Sequence, residues 1–209
     1  MEQDKPLTVD QLPGWDNEVR RLLQAGQLAE ANVLFDQAVA HPPTAERTVR
    51  ASLLVSRAVI AWRLGRIPLA LELAAEGWTD LGTGTEGPAA AWAFGQLGYL
   101  LEGIGNRRAA LDTLRLSVRL ARDAGDPTIL ATNLQRLGGT LNFRATEAPP
   151  EQALPAYEEA RSVLAEGLAL TNIAPYLRRA LLGAYGRSLA GLGELAAAAE
   201  AGRQVLRTA

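Results

Sequence analysis

A small residue recurs about every 40 positions along this chain, each time closing an apolar helical stretch, and a repeat of that length dictates the architecture. Gly26, Gly65, Gly105 and Gly193 end the runs LLQAG, AWRLG, LEGIG and LAGLG, and Ala145 takes the same place in the fourth unit. Glycine suits a helix C-terminus because it accepts positive φ without a Cβ clash. Five residues after the turn stand Ala31, Ala70, Ala110 and Ala198. The matching Ala153 arrives three residues late, so TEAPPE reads as a lengthened turn, with Pro149 and Pro150 where a helix can start.

Seven residues before the turns the small residue returns as Ala58, Gly98, Gly138 and Gly186, with Val19 the exception in the first unit. Small side chains there let two helices approach closely, and bulky ones fill the space between contacts. Trp15, Leu54, Phe94 and Leu182 lie eleven before the turn, and Phe35, Leu114 and Tyr157 lie nine after it or its lengthened equivalent. Ala74 and Gly202 interrupt that last series. Aromatic residues make up only 5% of the chain and no alternation of period two persists, so the pattern predicts helices and no sheet. Helix pairs are predicted at 14–25 with 28–40, 44–64 with 67–80, 86–104 with 107–124, 127–145 with 150–166, and 172–191 with 194–207. The linkers HPPT, GTGTEGP, AGDP and LTN separate the pairs, and Thr44, Asp126 and Thr171 or Asn172 are the predicted N-caps.

This pattern resembles the tetratricopeptide repeat family, most of all over LGYLLEGIGNRRAALDTL from Leu97 to Leu114, with Pro43 where the family's helix-ending proline is expected. The resemblance covers about residues 14–207. It implies an all-α, right-handed superhelical solenoid of about five helical hairpins, about ten helices in total. A flexible leader at 1–13 precedes one repeat domain at 14–209, with units at about 14–43, 44–84, 85–125, 126–170 and 171–209. Units of roughly 39 to 45 residues exceed the family's consensus of about 34 and suit the longer helices of bacterial signalling and regulatory members.

Composition narrows the setting. A formal net charge of −2, from 21 basic and 23 acidic residues, supplies no general attraction to nucleic acid or to an acidic membrane. The absence of cysteine excludes disulfides and thiolate chemistry and fits a reducing compartment. The N-terminal MEQDKPLTVDQLPG is acidic and has no apolar core, so it reads as neither signal peptide nor membrane span, and a cytoplasmic location is expected. Lys5 is the only lysine among the 21 basic residues, which suggests a GC-rich bacterial genome.

No catalytic constellation emerges. His41, the single histidine, precedes a double proline, and without cysteine or a second histidine a zinc site is not expected. The carboxylates Glu158 with Glu159 and Glu194 with Glu200 fall on outer helix faces or helix starts. The glycine-rich GTGTEG lacks both the preceding strand and the following GK[ST] of a phosphate loop, and reads as a hinge between the second and third units. No enzyme activity, metal or cofactor is expected.

Function in such arrays normally belongs to the concave surface made by the first helix of each pair. Positions three, six, ten and thirteen before the turn should face it: Trp62, Val59, Val55 and Ser52, then Glu102, Tyr99, Gly95 and Trp92. The fourth unit contributes Asn142, Gly139, Gln135 and Thr132, and the fifth Ala190, Arg187, Gly183 and Ala180. Trp62, Trp92, Tyr99, Glu102, Gln135, Asn142 and Arg187 are therefore the candidate groove, with aromatic anchors at one end, amides in the middle and a cation at the other. The expected partner is a protein or peptide. The family resemblance adds an alternative, an amino-terminal sensory or dimerising input domain joined to an output such as a GGDEF cyclic-dinucleotide synthase or a transcription regulator. In either case the last pair lacks a polar capping helix, so Leu192, Leu195, Val205 and Leu206 are expected to meet a second copy or further chain.

Overall fold

The computed structural model describes residues 47–82 and 86–207, together with Glu18, Arg21, Leu22, Gln27, Glu30, Val33 and Leu34. The expected leader, His41, Thr44, the middle of the GTGTEG hinge and most of the expected first hairpin lie outside these residues. Among the described residues there are eight helices and no strand. They pair as four hairpins: α1 (Arg47–Arg63) with α2 (Ile67–Leu81), α3 (Pro88–Gly103) with α4 (Arg107–Ala124), α5 (Pro127–Glu147) with α6 (Pro150–Ala169), and α7 (Pro175–Gly191) with α8 (Leu195–Arg207).

Three hairpins turn in the same way. Gly65, Gly105 and Gly193 hold φ of 74°, 89° and 79°. The N–H of the following residue reaches back to a carbonyl in the last helical turn: Arg66 to Ala61, Asn106 to Leu101 and Glu194 to Leu189, at 2.8, 2.9 and 2.9 Å. This pattern satisfies carbonyls that the helix end would otherwise orphan, and it needs a residue free of Cβ strain at the turn.

The fourth unit departs from expectation. Ala145 is helical and 2% exposed, so it is no turn residue; instead α5 continues to Glu147. Ala148, before Pro149, is extended at φ −84° and ψ 153°, the conformation that a following proline imposes, and Pro150 occupies the first turn of α6. The unit is long because its helix is long. Asp126 caps α5 as expected, its Oδ1 accepting from the N–H groups of Thr128 and Ile129 at 2.9 Å each. The expected cap at Thr171 or Asn172 is corrected: α7 starts at Pro175, Ala174 precedes it in extended conformation, and Asn172 sits at φ 60°.

Close helix contacts fall at the small residues. A Cβ on Gly138 would lie 2.4 Å from Cγ of Leu164, and Gly98 is covered as tightly by Leu114. Gly186 is less crowded, since a Cβ there would lie 3.4 Å from Ala201 Cβ and 3.5 Å from the Ala198 carbonyl oxygen, and Ala58 is fully buried. One apolar cluster joins α1, α2 and α3 through Val55, Val59, Leu73, Leu97 and Leu100, and another joins α4 to α7 through Leu114, Leu134, Leu141, Leu164 and Leu181. Each hairpin thus buries its apolar face on its neighbours, as a stacked array requires.

Two amides of α5 tie the layers together through backbone carbonyls. Asn133 Nδ2 donates to the carbonyls of Ala91 in α3 and Ser117 in α4, at 2.9 and 3.3 Å. Asn142 Nδ2 donates to the carbonyl of Ala184 in α7 at 2.8 Å.

Candidate functional site

The C-terminal halves of α3, α5 and α7 enclose a cavity of about 520 Å³. Its walls are Tyr99 and Glu102 from α3, Gln135, Arg136, Gly139, Asn142, Phe143 and Thr146 from α5, Arg187, Ala190 and Gly191 from α7, and Tyr157 from α6. Glycine makes the space: a Cβ on Gly139 would meet only the Gln135 side chain, 3.9 Å away, and one on Gly191 would strike the Tyr157 ring at 2.5 Å. That missing Cβ is what lets an aromatic ring from the second helix of a hairpin reach a surface otherwise built from first helices.

Tyr99 is the most braced aromatic. Trp62 meets it edge-on, with centroids 5.8 Å apart and planes at 88°. Arg63 Nη2 donates to its hydroxyl at 3.0 Å, and the guanidiniums of Arg63 and Arg136 lie 5.2 and 5.6 Å from its ring centroid. Arg136, only 5% exposed, also stands 5.2 Å from the Trp92 ring and donates to Gln96 Oε1 at 3.0 Å. Cation–π contact and a charge-assisted hydrogen bond are the interactions that make a buried guanidinium tolerable. On the far wall Arg187 is exposed and has no hydrogen-bond or ion-pair partner among the described residues.

Glu102 is half-buried, and desolvation pushes its carboxyl above the ordinary value. The Thr140 hydroxyl, which donates to Glu102 Oε2 at 2.8 Å, and the nearby Arg107 cation pull the other way and only partly offset burial. Phe143 is 45% exposed and carries Arg107 over its ring at 4.8 Å, while Arg107 is paired with Glu147.

Five of the expected groove residues, Tyr99, Glu102, Gln135, Asn142 and Arg187, therefore line one cavity. Trp62 and Trp92 do not. Trp62 is half-buried behind Tyr99, its ring filling the space above Gly103. Trp92 is 1% exposed and its Nε1 donates to Ser56 Oγ at 2.9 Å, so it is a core residue and offers no groove surface. Ser52, Val55 and Val59 are likewise fully buried, because α1 packs straight onto α3. Asn142 reaches the wall, but both ends of its amide are engaged: Nδ2 with Ala184 and Oδ1 as acceptor from Ser188 Oγ at 2.8 Å. Arg136, Phe143, Thr146 and Tyr157 escaped the periodic reading.

At the C-terminal end, Leu195 and Leu206 are 69% and 77% exposed, while Leu192 and Val205 are half-buried. Among the described residues no group of three or more His, Cys, Asp or Glu is placed to hold a metal ion, and no helix is long and apolar enough to cross a membrane.

No protein-family model and no curated protein matches the chain. Solved structures do. The chain is similar to BtubC (BKLC) from P. vanneervenii, at 13% identity and a TM-score of 0.63, over 91% of this chain and 76% of that one. It is also similar to the nearly identical TPR-like repeats of a putative kinesin light chain from Podosopora anserina, at 19% identity and a TM-score of 0.58, over 100% and 97% of the two chains. A substituted form of that protein gives 18% identity and a TM-score of 0.59, over 98% and 97%. With its glycine-closed hairpins and small-residue contacts, the chain is by fold a tetratricopeptide-type helical repeat protein.

Proposed function

We propose that this chain is a non-catalytic interaction module that captures a peptide or protein segment in the cavity between α3, α5 and α7. The supporting observation is the convergence there of three aromatic rings, Tyr99, Phe143 and Tyr157, with Arg136, Arg187, Gln135 and Glu102 around one space of about 520 Å³. Aromatics supply contact area at low entropic cost, and the polar groups orient what enters. The setting of this reading is the bacterial cytoplasm, within a signalling or regulatory assembly.

A phage-displayed peptide library panned on the immobilised protein tests it. Selected peptides should bind at least about tenfold more weakly to Tyr99→Ala and Arg187→Ala, with the helical circular dichroism unchanged. Peptides indifferent to both substitutions, or no selection at all, would remove the cavity as a peptide site.

The ligand-sized volume favours a second reading, a sensory input domain whose cavity takes a small molecule and whose C-terminal face pairs with a second copy. A small-molecule thermal-shift screen separates the two: a hit whose effect vanishes in Tyr99→Ala and Arg187→Ala, with no peptide selected, would favour sensing.

A further inference from the structure

We infer that the groove along α4, bordered by α6 at one end and by Arg144 of α5 at the other, docks an acidic amphipathic helix of a partner protein. Two hollows of about 410 and 430 Å³ share Asp112 and Arg115 and so run together along α4. Arg108, Arg115, Arg119 and Arg122 follow one another at steps of seven, four and three residues, which puts them on one face of that helix, along about 21 Å. Arg144 of α5 enters the same groove. Arg115 and Arg122 are engaged across it, with Glu159 and Glu166 of α6 at 2.9 and 2.6 Å. Arg108, Arg119 and Arg144 are exposed and have no hydrogen-bond or ion-pair partner among the described residues. In a chain of net charge −2 this cationic surplus is local.

The floor identifies the partner. The half-buried Leu116 and Val163 lie between the arginines, above the buried Leu111 and Leu137, and among the described residues no aromatic side chain lines either hollow. Nucleic-acid grooves of this kind use aromatic platforms for stacking, and a free anion would leave the aliphatic floor uncovered. A helix carrying carboxylates on one face with leucine-like residues between them satisfies both the guanidiniums and the floor.

The test is fluorescence anisotropy with a labelled helical peptide of about 15 residues, bearing Glu at positions matched to the arginine spacing and Leu between them. The peptide should bind with an affinity that falls as salt rises, and its Gln counterpart at least about tenfold more weakly. The triple variant Arg108→Glu, Arg119→Glu, Arg144→Glu should bind it at least about tenfold more weakly, whereas Glu159→Gln with Glu166→Gln, which releases Arg115 and Arg122, should bind it several-fold more tightly. The second variant keeps the test decisive even if the first folds poorly. No binding, equal binding of the Gln peptide, preference for a single-stranded oligonucleotide of matched charge, weaker binding by the Glu-to-Gln variant, or an equal loss from Arg187→Glu alone would each overturn the proposal.

Discussion

Gly98 lies directly under Leu114: a Cβ on the glycine would come within 2.6 Å of the leucine Cγ and 3.3 Å of the Ala110 carbonyl oxygen. Leu114 is fully buried and cannot swing into solvent. Gly98→Leu should therefore cost about 1 to 3 kcal/mol or more in urea unfolding. Combining it with Leu114→Ala should recover part of the loss, because the two residues compete for one volume. A neutral Gly98→Leu would mean that α3 and α4 do not pack in this register.

Asn142 joins α5 to α7 through two hydrogen bonds, and at 3% exposure neither is made to water. Asn142→Ala removes both amide bonds, leaving the Ser188 hydroxyl only its longer bond to the Ala184 carbonyl at 3.3 Å, and should lower stability by about 1 to 3 kcal/mol. The residue lines the cavity, so a binding defect in this variant has to be read beside its unfolding curve. Unchanged stability would show that the amide is not a strut.

How much of this could be read from the sequence follows from what sets each feature. The turns at Gly65, Gly105 and Gly193 and the contacts at Gly98, Gly138 and Gly186 depend on local sterics within one hairpin, and the repeat exposes them directly. Whether a first-helix position faces a groove depends instead on how closely the neighbouring hairpin stacks. The same spacing from the turn places Tyr99 on a cavity wall and Val59 in the core, because α3 seals the face of α1. Tyr157 reaches the site only because Gly191, a residue of another hairpin, makes room, and no within-unit periodicity encodes that.

Glu102 makes stability depend on pH. Its carboxyl is raised in the folded state, so folding favours the protonated form; that contribution is complete below the ordinary carboxylate range and is lost as pH rises through the raised value. Urea midpoints measured from acid to neutral pH should fall further for the wild-type chain than for Glu102→Gln over that window. Parallel curves would show that burial does not perturb this carboxyl.

Leu195 and Leu206 lie eleven residues apart on α8, within about 20° of the same helix face, and both are largely exposed. If that face pairs two copies, sedimentation should show a concentration-dependent dimer that Leu195→Asp with Leu206→Asp converts to monomer. A wild-type chain that stays monomeric at the highest concentrations would sink the pairing.

Asn133 reaches back 42 residues to the Ala91 carbonyl, and Asn142 reaches forward 42 residues to that of Ala184. An idealised repeat array is modular: a unit can be deleted, duplicated or exchanged, since every junction looks alike. Here the third described hairpin is bonded to both neighbours by side chains that those neighbours do not repeat, so it works as a keystone. Removing it would bring α3 against α7 without either amide bridge, and duplicating it would bury an amide opposite the wrong backbone. Gain and loss of units would then be resisted at this hairpin.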